Sequence, residues 1–379
     1  MSTHHPIAII GAGLGGLTAA RVLRVGGVEA AVFESEASRE VRTQGGMLDI
    51  HEENGQQALR AAGLYDDFRA IVHEGGQAMR LVGPDGTVHV SHEDDGAGGR
   101  PEVDRGALRD LLLDSLPDGT VHWGRKATGA RALGDGRHEV TFADGSVITT
   151  DLLVGADGAW SRVRPLVSDA RPAYTGICLV ETDLFEADSR HPRSAALVGG
   201  GFFICLGHER GLLAHRESDG SLHVYAALKA DEGWPDTVDF GDRAAAKAAV
   251  LAHFEGWDEG LRGLVADAET ITPRRVNALP VGHRWDRVPG VTLLGDAAHL
   301  MSPFAGEGAN AAMFDGAELA LAIAAHPGDI ETALSAYEMA LFPRGEASAA
   351  ESADSLRDMF DERGLETMID FFTARPVER

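Results

Sequence analysis

Residues 11–16 read GAGLGG and decide the fold of this 379-residue chain. They follow a short apolar run at 7–10 and open a segment, 14–25, whose apolar residues recur at helical spacing. A second apolar run, 28–33, ends at Glu34. The order strand, glycine-rich turn, helix, strand predicts a β-α-β unit at the start of a parallel sheet.

Each glycine of this turn has a distinct expected role. Gly11 permits the tight turn, Gly13 lets a pyrophosphate approach the backbone, and Gly16 lets the helix pack closely on the sheet. The free N–H groups of the helix N-terminus favour an anion. Glu34 stands where an acid grips ribose hydroxyls, which favours FAD or NAD over NADP. The alternative is a glycine-rich turn with no ligand.

A second junction of the same kind occupies residues 295–310, GDAAHLMSPFAGEGAN, between an apolar run and an Ala/Leu-rich segment. Asp296, at the end of the expected strand, can accept hydrogen bonds from polyol hydroxyls, and Gly306 and Gly308 leave backbone N–H groups free to face a flat ring. His299 is either an acid/base or a packing residue. Because the two junctions lie at opposite ends of the chain, they predict an extended cofactor held from both sides, and hence a flavin enzyme.

Two further positions are candidates for cofactor contacts. Asp157 lies in GADG at 155–158, after another apolar run, and it either caps the following turn or borders the cofactor. Arg105 begins an amphipathic helix and either reaches a cofactor oxygen or forms a surface ion pair.

The order of segments predicts an α/β fold: a Rossmann-like FAD-binding domain with an inserted antiparallel-sheet substrate domain and a long C-terminal helix. We expect the FAD-binding domain at 1–173 and 274–328 and the substrate domain at 174–273. The helical segment 329–379 is expected to brace the two.

Composition limits the partners and the compartment. A formal net charge of -25 without a basic stripe argues against nucleic acid, and no apolar run approaches the roughly 20 residues of a membrane span. No secretion signal is evident, so a cytoplasmic protein with Cys178 and Cys205 as buried thiols is expected. We expect no metal site, and a monomer or weak homodimer. A second nucleotide loop in the required context is absent, so NAD(P)H is expected to dock transiently.

GAGLGG with Glu34, GADGAWSRVR and GDAAHLMSPFAGEGAN, in this order, resemble the fingerprints of single-component FAD-dependent aromatic hydroxylases, which share the para-hydroxybenzoate hydroxylase fold. Within that family, residues 45–51 (GGMLDIH), Asp104-Arg105 and residues 295–306 are most similar to tetracycline-inactivating monooxygenases.

The resemblance implies that NAD(P)H reduces bound FAD and that a flavin C4a-hydroperoxide delivers an oxygen atom to an aromatic or polycyclic, polyketide- or tetracycline-like, molecule. No protein side chain is then expected to act as nucleophile or acid/base, because the cofactor carries the chemistry. The implied FAD-site residues, with the loop from Gly45 to Asp49 bordering the flavin ring, are Gly11, Gly13, Gly16, Glu34, Gly46, Asp49, Arg105, Asp157, Asp296, Pro303, Gly306, Gly308 and Asn310.

The substrate side departs from the pattern of the tetracycline enzymes. His223 matches a substrate-contacting histidine, whereas Glu181 replaces a glutamine and Arg216 an asparagine. The predicted pocket, completed by Pro303 and Phe304, is therefore more charged. The alternatives are a flavin reductase or halogenase of the same fold, or a non-catalytic FAD-binding redox sensor. The Trp-x-Trp-x-Ile-Pro run of halogenases is absent from the sequence.

Overall fold

The computed structural model describes residues 3–41, 46–94, 96 and 99–374, so Gly45 of the predicted flavin-bordering loop lies outside the described residues. The strands, in chain order, are β1 (Thr3–Ile10), β2 (Ala31–Phe33), β3 (Met47–Asp49), β4 (Met79–Val82), β5 (Val88–His92), β6 (Glu102–Asp104), β7 (Val121–His122), β8 (Ala127–Ala132), β9 (His138–Phe142), β10 (Val147–Gly155), β11 (Ala173–Leu184), β12 (Phe202–Gly207), β13 (Arg210–Arg216), β14 (Leu222–Lys229), β15 (Thr272–Ala278) and β16 (Val291–Leu293).

The helices are α1 (Leu14–Val25), α2 (Gly55–Ala61), α3 (Tyr65–Arg69), α4 (Arg105–Asp114), α5 (Ala187–Arg190), α6 (Pro192–Val198), α7 (Arg243–His253), α8 (Glu259–Ala266), α9 (Asp296–His299), α10 (Gly308–Ala325), α11 (Ile330–Met359) and α12 (Gly364–Ala374). Short 3-10 helices lie at Arg164–Leu166, Trp234–Thr237 and Pro303–Ala305.

The first sheet has the order β7-β2-β1-β10-β9-β8, with β16 paired to β10. Strands β7, β2, β1, β10 and β16 are parallel, whereas β9 and β8 join in antiparallel fashion. Residues 7–10 and 152–155 are continuously buried, as is typical of parallel strands that are covered on both faces. The β-α-β unit predicted from GAGLGG is confirmed, and with it the Rossmann-like first domain.

Helices α1 and α10 cross with their backbones in contact. A Cβ added to Gly316 would lie 2.3 Å from the carbonyl oxygen of Gly15, and one added to Gly15 would lie 2.6 Å from that of Ala312. Only glycine allows this approach. Because β1 and β16 are parallel strands of this sheet, the turns that follow them open at the same edge.

The second sheet has the order β15-β11-β14-β13-β12-β4-β5. Its pairings are antiparallel except that of β12 with β4, and α6 and α8 pack against one face. The hairpin β4–β5, which the predicted division of the chain puts in the FAD-binding domain, is hydrogen-bonded into this sheet. The antiparallel layer predicted from the alternating strands is confirmed, and the exact division into domains stays a prediction.

The long C-terminal helix predicted after residue 329 is confirmed as α11, which continues through Pro343. Near its start, Leu334, Tyr337 and Leu341 are buried in the core of the first sheet. At its end, Met359 joins the apolar cluster on the second sheet. The helix therefore contacts both layers.

Cys178 and Cys205 are buried, unpaired thiols. Burial raises the pKa of Cys178 to about 11, so this thiol stays protonated. Among the residues that the structure describes, no helix is long and apolar enough to span a membrane.

Candidate active site

The GAGLGG turn divides its glycines between packing and an open surface. Gly11 has a φ of 110°, and a Cβ there would lie 2.2 Å from the carbonyl oxygen of Ala156. A Cβ on Gly16 would lie 2.1 Å from the carbonyl oxygen of Gly11. Gly13, which precedes α1, would meet no atom within 4 Å. The turn therefore presents a bare backbone and a helix N-terminus to open space, which suits an anion.

Glu34 is buried beside this turn and helps to shape it. Its Oε2 atom accepts a 2.7 Å hydrogen bond from the N–H of Ala12, and its Oε1 atom accepts one of 3.0 Å from the N–H of Glu36. Buried Arg109 donates to the carbonyl oxygen of Ala12 and pairs with Glu36 at 2.8 Å. Glu34 is thus fixed at the end of β2, next to the glycine turn.

Asp157 caps its own turn, in agreement with the first of its two interpretations. Its carboxylate accepts hydrogen bonds from the hydroxyl of Ser161 at 2.5 Å and the N–H of Arg162 at 2.6 Å. Behind it, buried Arg164 donates at 2.8 Å to the carbonyl oxygens of both Ala159 and Ala297. The guanidinium therefore joins the GADG turn to the turn after β16.

Asp296 is the only exposed residue between Val291 and Leu300, where every neighbour is buried. Its side chain is accessible to solvent, yet the surrounding protein is dense enough that burial raises the pKa of the carboxyl. An accessible carboxylate within a buried run is suited to accept hydrogen bonds from hydroxyl groups of a ligand.

His299 is a structural residue. Its Nε2 atom lies 2.5 Å from Oδ2 of Asp315, which also accepts from the N–H of Gly295 at 2.9 Å. Arg344 donates to the other oxygen of Asp315 at 2.9 Å. The imidazole is buried within this network, so it holds the turn after β16 in place and matches the packing alternative for His299.

Asn310 joins the loop around β3 to the turn before α10. Its Nδ2 atom donates to the carbonyl oxygen of Asp49 at 2.8 Å, and its Oδ1 atom accepts from the N–H of His51 at 3.0 Å. Gly306 adopts the left-handed conformation, and a Cβ on Gly308 would meet nothing within 4 Å. The open N-terminus of α10 therefore lies directly beside the 46–51 loop.

Arg105 lies between the two layers. Its N–H donates to the carbonyl oxygen of Gly46 at 3.1 Å, and its positive charge acts on both Asp296 and Tyr225. The N–H of Gly46 donates at 3.3 Å to Oε2 of Glu217, which directly follows β13 of the second sheet. Burial raises the pKa of Glu217 to about 7.

The second sheet has one face covered by α6 and α8; the opposite face is called the open face. The open face carries a histidine–carboxylate pair. The Nδ1 atom of His223 lies 2.6 Å from Oδ1 of Asp183, and the hydroxyl of Thr270 donates to Oδ2 of the same carboxylate at 2.6 Å. Burial lowers the pKa of His223, but the hydrogen bond and charge of Asp183 outweigh burial and leave the pKa above its usual value. Tyr225 lies on the same face, with its ring edge-on to the imidazole at 4.6 Å.

Of the predicted substrate residues, Glu181 shares this face and forms a 2.9 Å ion pair with Arg274. Phe304 packs edge-on against Phe360 at 5.2 Å and borders the apolar cluster on the same side of the sheet, while Pro303 beside it is exposed.

Arg216 is not among the residues brought together here. It shares the face of β13 that carries Leu212 and Ala214, which are buried under the helices. Its guanidinium donates to the carbonyl oxygen of Gly199 at 2.6 Å and pairs with Asp188 at 3.1 Å. Side chains alternate across a strand, so the prediction of Arg216 as a substrate contact chose the wrong face.

A family model described as an FAD binding domain matches residues 4–350. The chain belongs to this family. It is an FAD-dependent monooxygenase, and the bare backbone at Gly13 together with the accessible carboxylate of Asp296 fits such a cofactor.

Relatives cover nearly the whole monooxygenase. It is 32% identical to monooxygenase asqM of Emericella nidulans over an alignment of 408 positions, which covers 89% of this chain and 91% of the relative. The crystal structure of Klebsiella pneumoniae HpxO complexed with FAD and uric acid matches with a TM-score of 0.80, 23% identity and coverage of 100% of this chain and 94% of that chain. The tetracycline destructase Tet(55) matches with a TM-score of 0.76, 19% identity and coverage of 99% and 96%. The resemblance to FAD-dependent aromatic hydroxylases is thereby confirmed, with the last two structures showing the fold.

Several functional candidates of this monooxygenase escaped the sequence analysis. Tyr225 follows from strand alternation, since it lies two residues from His223 of the open face. Glu217 lies just past the end of β13, where alternation no longer applies. Asp183 and Thr270 are 87 residues apart in sequence and meet only through the fold. Their contact carries no local signal.

We expect Arg164→Lys to lower the free energy of unfolding by about 1 kcal/mol. The lysine ammonium replaces the planar guanidinium, so at least one buried hydrogen bond is lost. Urea unfolding of the apoprotein measures this. Arg162→Lys, at an exposed neighbour, is the control and should leave the midpoint unchanged. Equal midpoints for both variants would show that Arg164 does not join the two turns.

Proposed function

We propose that this monooxygenase uses NAD(P)H and dioxygen to hydroxylate an aromatic or polycyclic, polyketide- or tetracycline-like, small molecule. The observation that carries the proposal is the His223–Asp183 pair at 2.6 Å, which lies on the open face of the second sheet beside the ring of Tyr225. An oriented, charged imidazole beside an aromatic ring suits a flat substrate that carries a hydroxyl or carbonyl oxygen.

The cofactor would be held from both ends of the chain. Gly11, Gly13 and Gly16 would admit its pyrophosphate, Glu34 would bind the ribose, and Asp296 would bind the ribityl chain. Other residues proposed to hold it are Gly46, Asp49, Arg105, Asp157, Pro303, Gly306, Gly308 and Asn310. When bound, FAD supplies the electron transfer and oxygen activation that side chains cannot.

The substrate would lie between the sheet and the turn before α10. His223 and Glu181 would contact it from the sheet, and Pro303 and Phe304 from the turn. Tyr225 would form part of the same wall, since its ring lies edge-on to the His223 imidazole at 4.6 Å. Burial raises its pKa to about 12, so the phenol is neutral.

His223 would hold a proton at Nε2, because Asp183 engages the Nδ1 side of the ring. An imidazolium with a raised pKa donates a charge-assisted hydrogen bond to a substrate oxygen and stabilises negative charge there. Negative charge on that oxygen makes the attached ring richer in electrons and more reactive toward an electrophilic oxygen atom. The protein's role is then to orient the ring, stabilise its charge and exclude water.

A substrate screen tests this function. The FAD-loaded protein is mixed with NADH or NADPH and a panel of tetracyclines, anthraquinones and simple phenols, and both NAD(P)H oxidation and product mass are recorded. We expect at least one compound to accelerate oxidation and to gain one oxygen atom. A protein that binds FAD, yet shows no substrate-stimulated oxidation with any compound class, would support the redox-sensor alternative.

The proposal also includes a cytoplasmic location, transient docking of NAD(P)H, and a monomer or weak homodimer. Gel filtration of the FAD-loaded protein over a range of concentrations tests the last of these directly.

A further inference from the structure

A compact group of charges lies where the 46–51 loop meets the N-terminus of α10. The imidazole of His51 is fully buried, and its Nε2 atom lies 2.8 Å from Oδ2 of Asp49. On the other side of the ring, Nδ1 lies 3.2 Å from Oε1 of Glu307, in ion-pair distance although the angle is poor for a hydrogen bond. The second oxygen of Glu307 accepts a 3.1 Å hydrogen bond from Asn54.

Burial lowers the pKa of His51, but its contacts with Asp49 and Glu307 outweigh burial and raise the pKa to about 9. The imidazole is therefore a buried cation between two carboxylates at neutral pH. Arg100 lies 3.7 Å from Asp49 and is half exposed. Glu102, which pairs with Asp49 across β3 and β6, is mostly protonated at neutral pH, because burial raises its pKa to about 8.

The position of Glu307 gives this group its effect on a ligand. Glu307 directly precedes α10, whose first residue, Gly308, faces open space. The free N–H groups at such a helix start act like a positive charge of about half an elementary charge and produce a positive potential. An unpaired carboxylate at this point would cancel that potential, whereas a carboxylate paired with a buried cation leaves it intact.

We propose that His51 and Glu307 form a charge-compensating pair that sets the electrostatic potential at the flavin site and thereby the reduction potential of bound FAD. During reduction, electrons from the reductant add negative charge to the flavin ring. The Glu307 carboxylate opposes this gain and the His51 imidazolium favours it, so each alone would shift the potential in opposite directions. The inference rests on FAD binding and not on the proposed hydroxylation.

Potentiometric titration of the FAD-loaded protein, without substrate or oxygen, tests the pair. We compare wild type, Glu307→Gln, His51→Gln and the double variant at about pH 6, where Asp49 still keeps the ring protonated in Glu307→Gln. We expect Glu307→Gln to shift the potential to more positive values and His51→Gln to more negative values. The double variant should return close to wild type, because the removed charges cancel.

Glu53→Gln is the matched control, since Glu53 also carries a carboxylate near Arg100, at 3.6 Å, but is 62% exposed. Solvent screens such a charge, so the reduction potential of bound FAD in Glu53→Gln should equal that of wild type. An unchanged potential in Glu307→Gln, or shifts of the same sign in both single variants, would overturn the proposal. If His51→Gln fails to retain FAD, the sign of the Glu307→Gln shift decides: a positive shift supports the pair, and a zero or negative shift refutes it.

These outcomes are independent of turnover. The expected potentials without substrate-stimulated oxidation would support the charge pair and refute the proposed hydroxylase function. Substrate-stimulated hydroxylation without the expected potentials would support the hydroxylase function and refute the charge pair.

Discussion

Replacing Gly13 with valine is expected to weaken FAD binding by about 100-fold while the apoprotein stays folded. Gly13 has an ordinary φ of -76°, and a Cβ there meets no protein atom within 4 Å. The apoprotein thus has room for a side chain. The proposed pyrophosphate position would not, and forcing methyl groups into occupied space costs up to about 3 kcal/mol, which is about 100-fold in affinity. Flavin fluorescence quenching measures binding, and thermal unfolding of the apoprotein measures folding.

Gly129→Val is the matched control for this variant. Gly129 lies in β8, away from the site, and its Cβ would likewise meet nothing within 4 Å. Both apoproteins should unfold at the wild-type temperature, and only Gly13→Val should lose affinity. Wild-type affinity in Gly13→Val would place the pyrophosphate elsewhere. Gly11 and Gly16 are unsuitable for this test, since side chains there would collide with backbone at 2.2 and 2.1 Å.

Asp183→Asn is expected to reduce substrate hydroxylation by about 100-fold without changing FAD affinity. The amide removes the negative charge that raises the pKa of His223, so the imidazole loses its proton near neutral pH. Loss of one preorganised hydrogen-bond donor that stabilises negative charge in the reaction costs about 100-fold or more in rate. Steady-state kinetics with the substrate found by the screen measures the loss.

The pH profile separates this role from a structural one. Because the pKa of His223 is raised, wild-type activity should persist as the pH rises above 6.5 and fall only at the raised pKa. In Asp183→Asn the decline should begin at lower pH. Asp188→Asn, in the ion pair with Arg216 on the opposite face, should keep both the rate and the profile. An unshifted profile in Asp183→Asn would exclude His223 as the proton-holding residue.

Local sequence signals predicted the first layer well, because each structural requirement there falls within a few residues. Gly11 and Gly16 are demanded by contacts at 2.2 and 2.1 Å, and Glu34 bonds the turn that it follows. Strand, turn and helix carry their own periodicities, so the β-α-β unit and the turn at 295–310 could be recognised without knowledge of the fold.

Prediction was weaker wherever distant segments meet. The parallel pairing of β4 with β12 joins residues more than a hundred positions apart. The local sequence of the hairpin at 79–92 therefore could not predict which sheet it joins. The contacts of His51 with Glu307 and of Asp183 with Thr270 likewise exist only after folding. Arg216 is a different case: the strand was recognised, but the face was not, and a shift of one residue reverses the direction of a side chain.

We propose that this FAD-dependent monooxygenase transfers an oxygen atom to a substrate held against the face that carries His223. Turnover under isotope-labelled dioxygen, with the substrate found by the screen and product analysis by mass spectrometry, tests it most directly. We predict a product that carries one labelled oxygen atom, formed by wild type and strongly reduced in Asp183→Asn. Product oxygen derived from water, or NAD(P)H oxidation that yields only hydrogen peroxide with every substrate, would exclude this oxygen transfer.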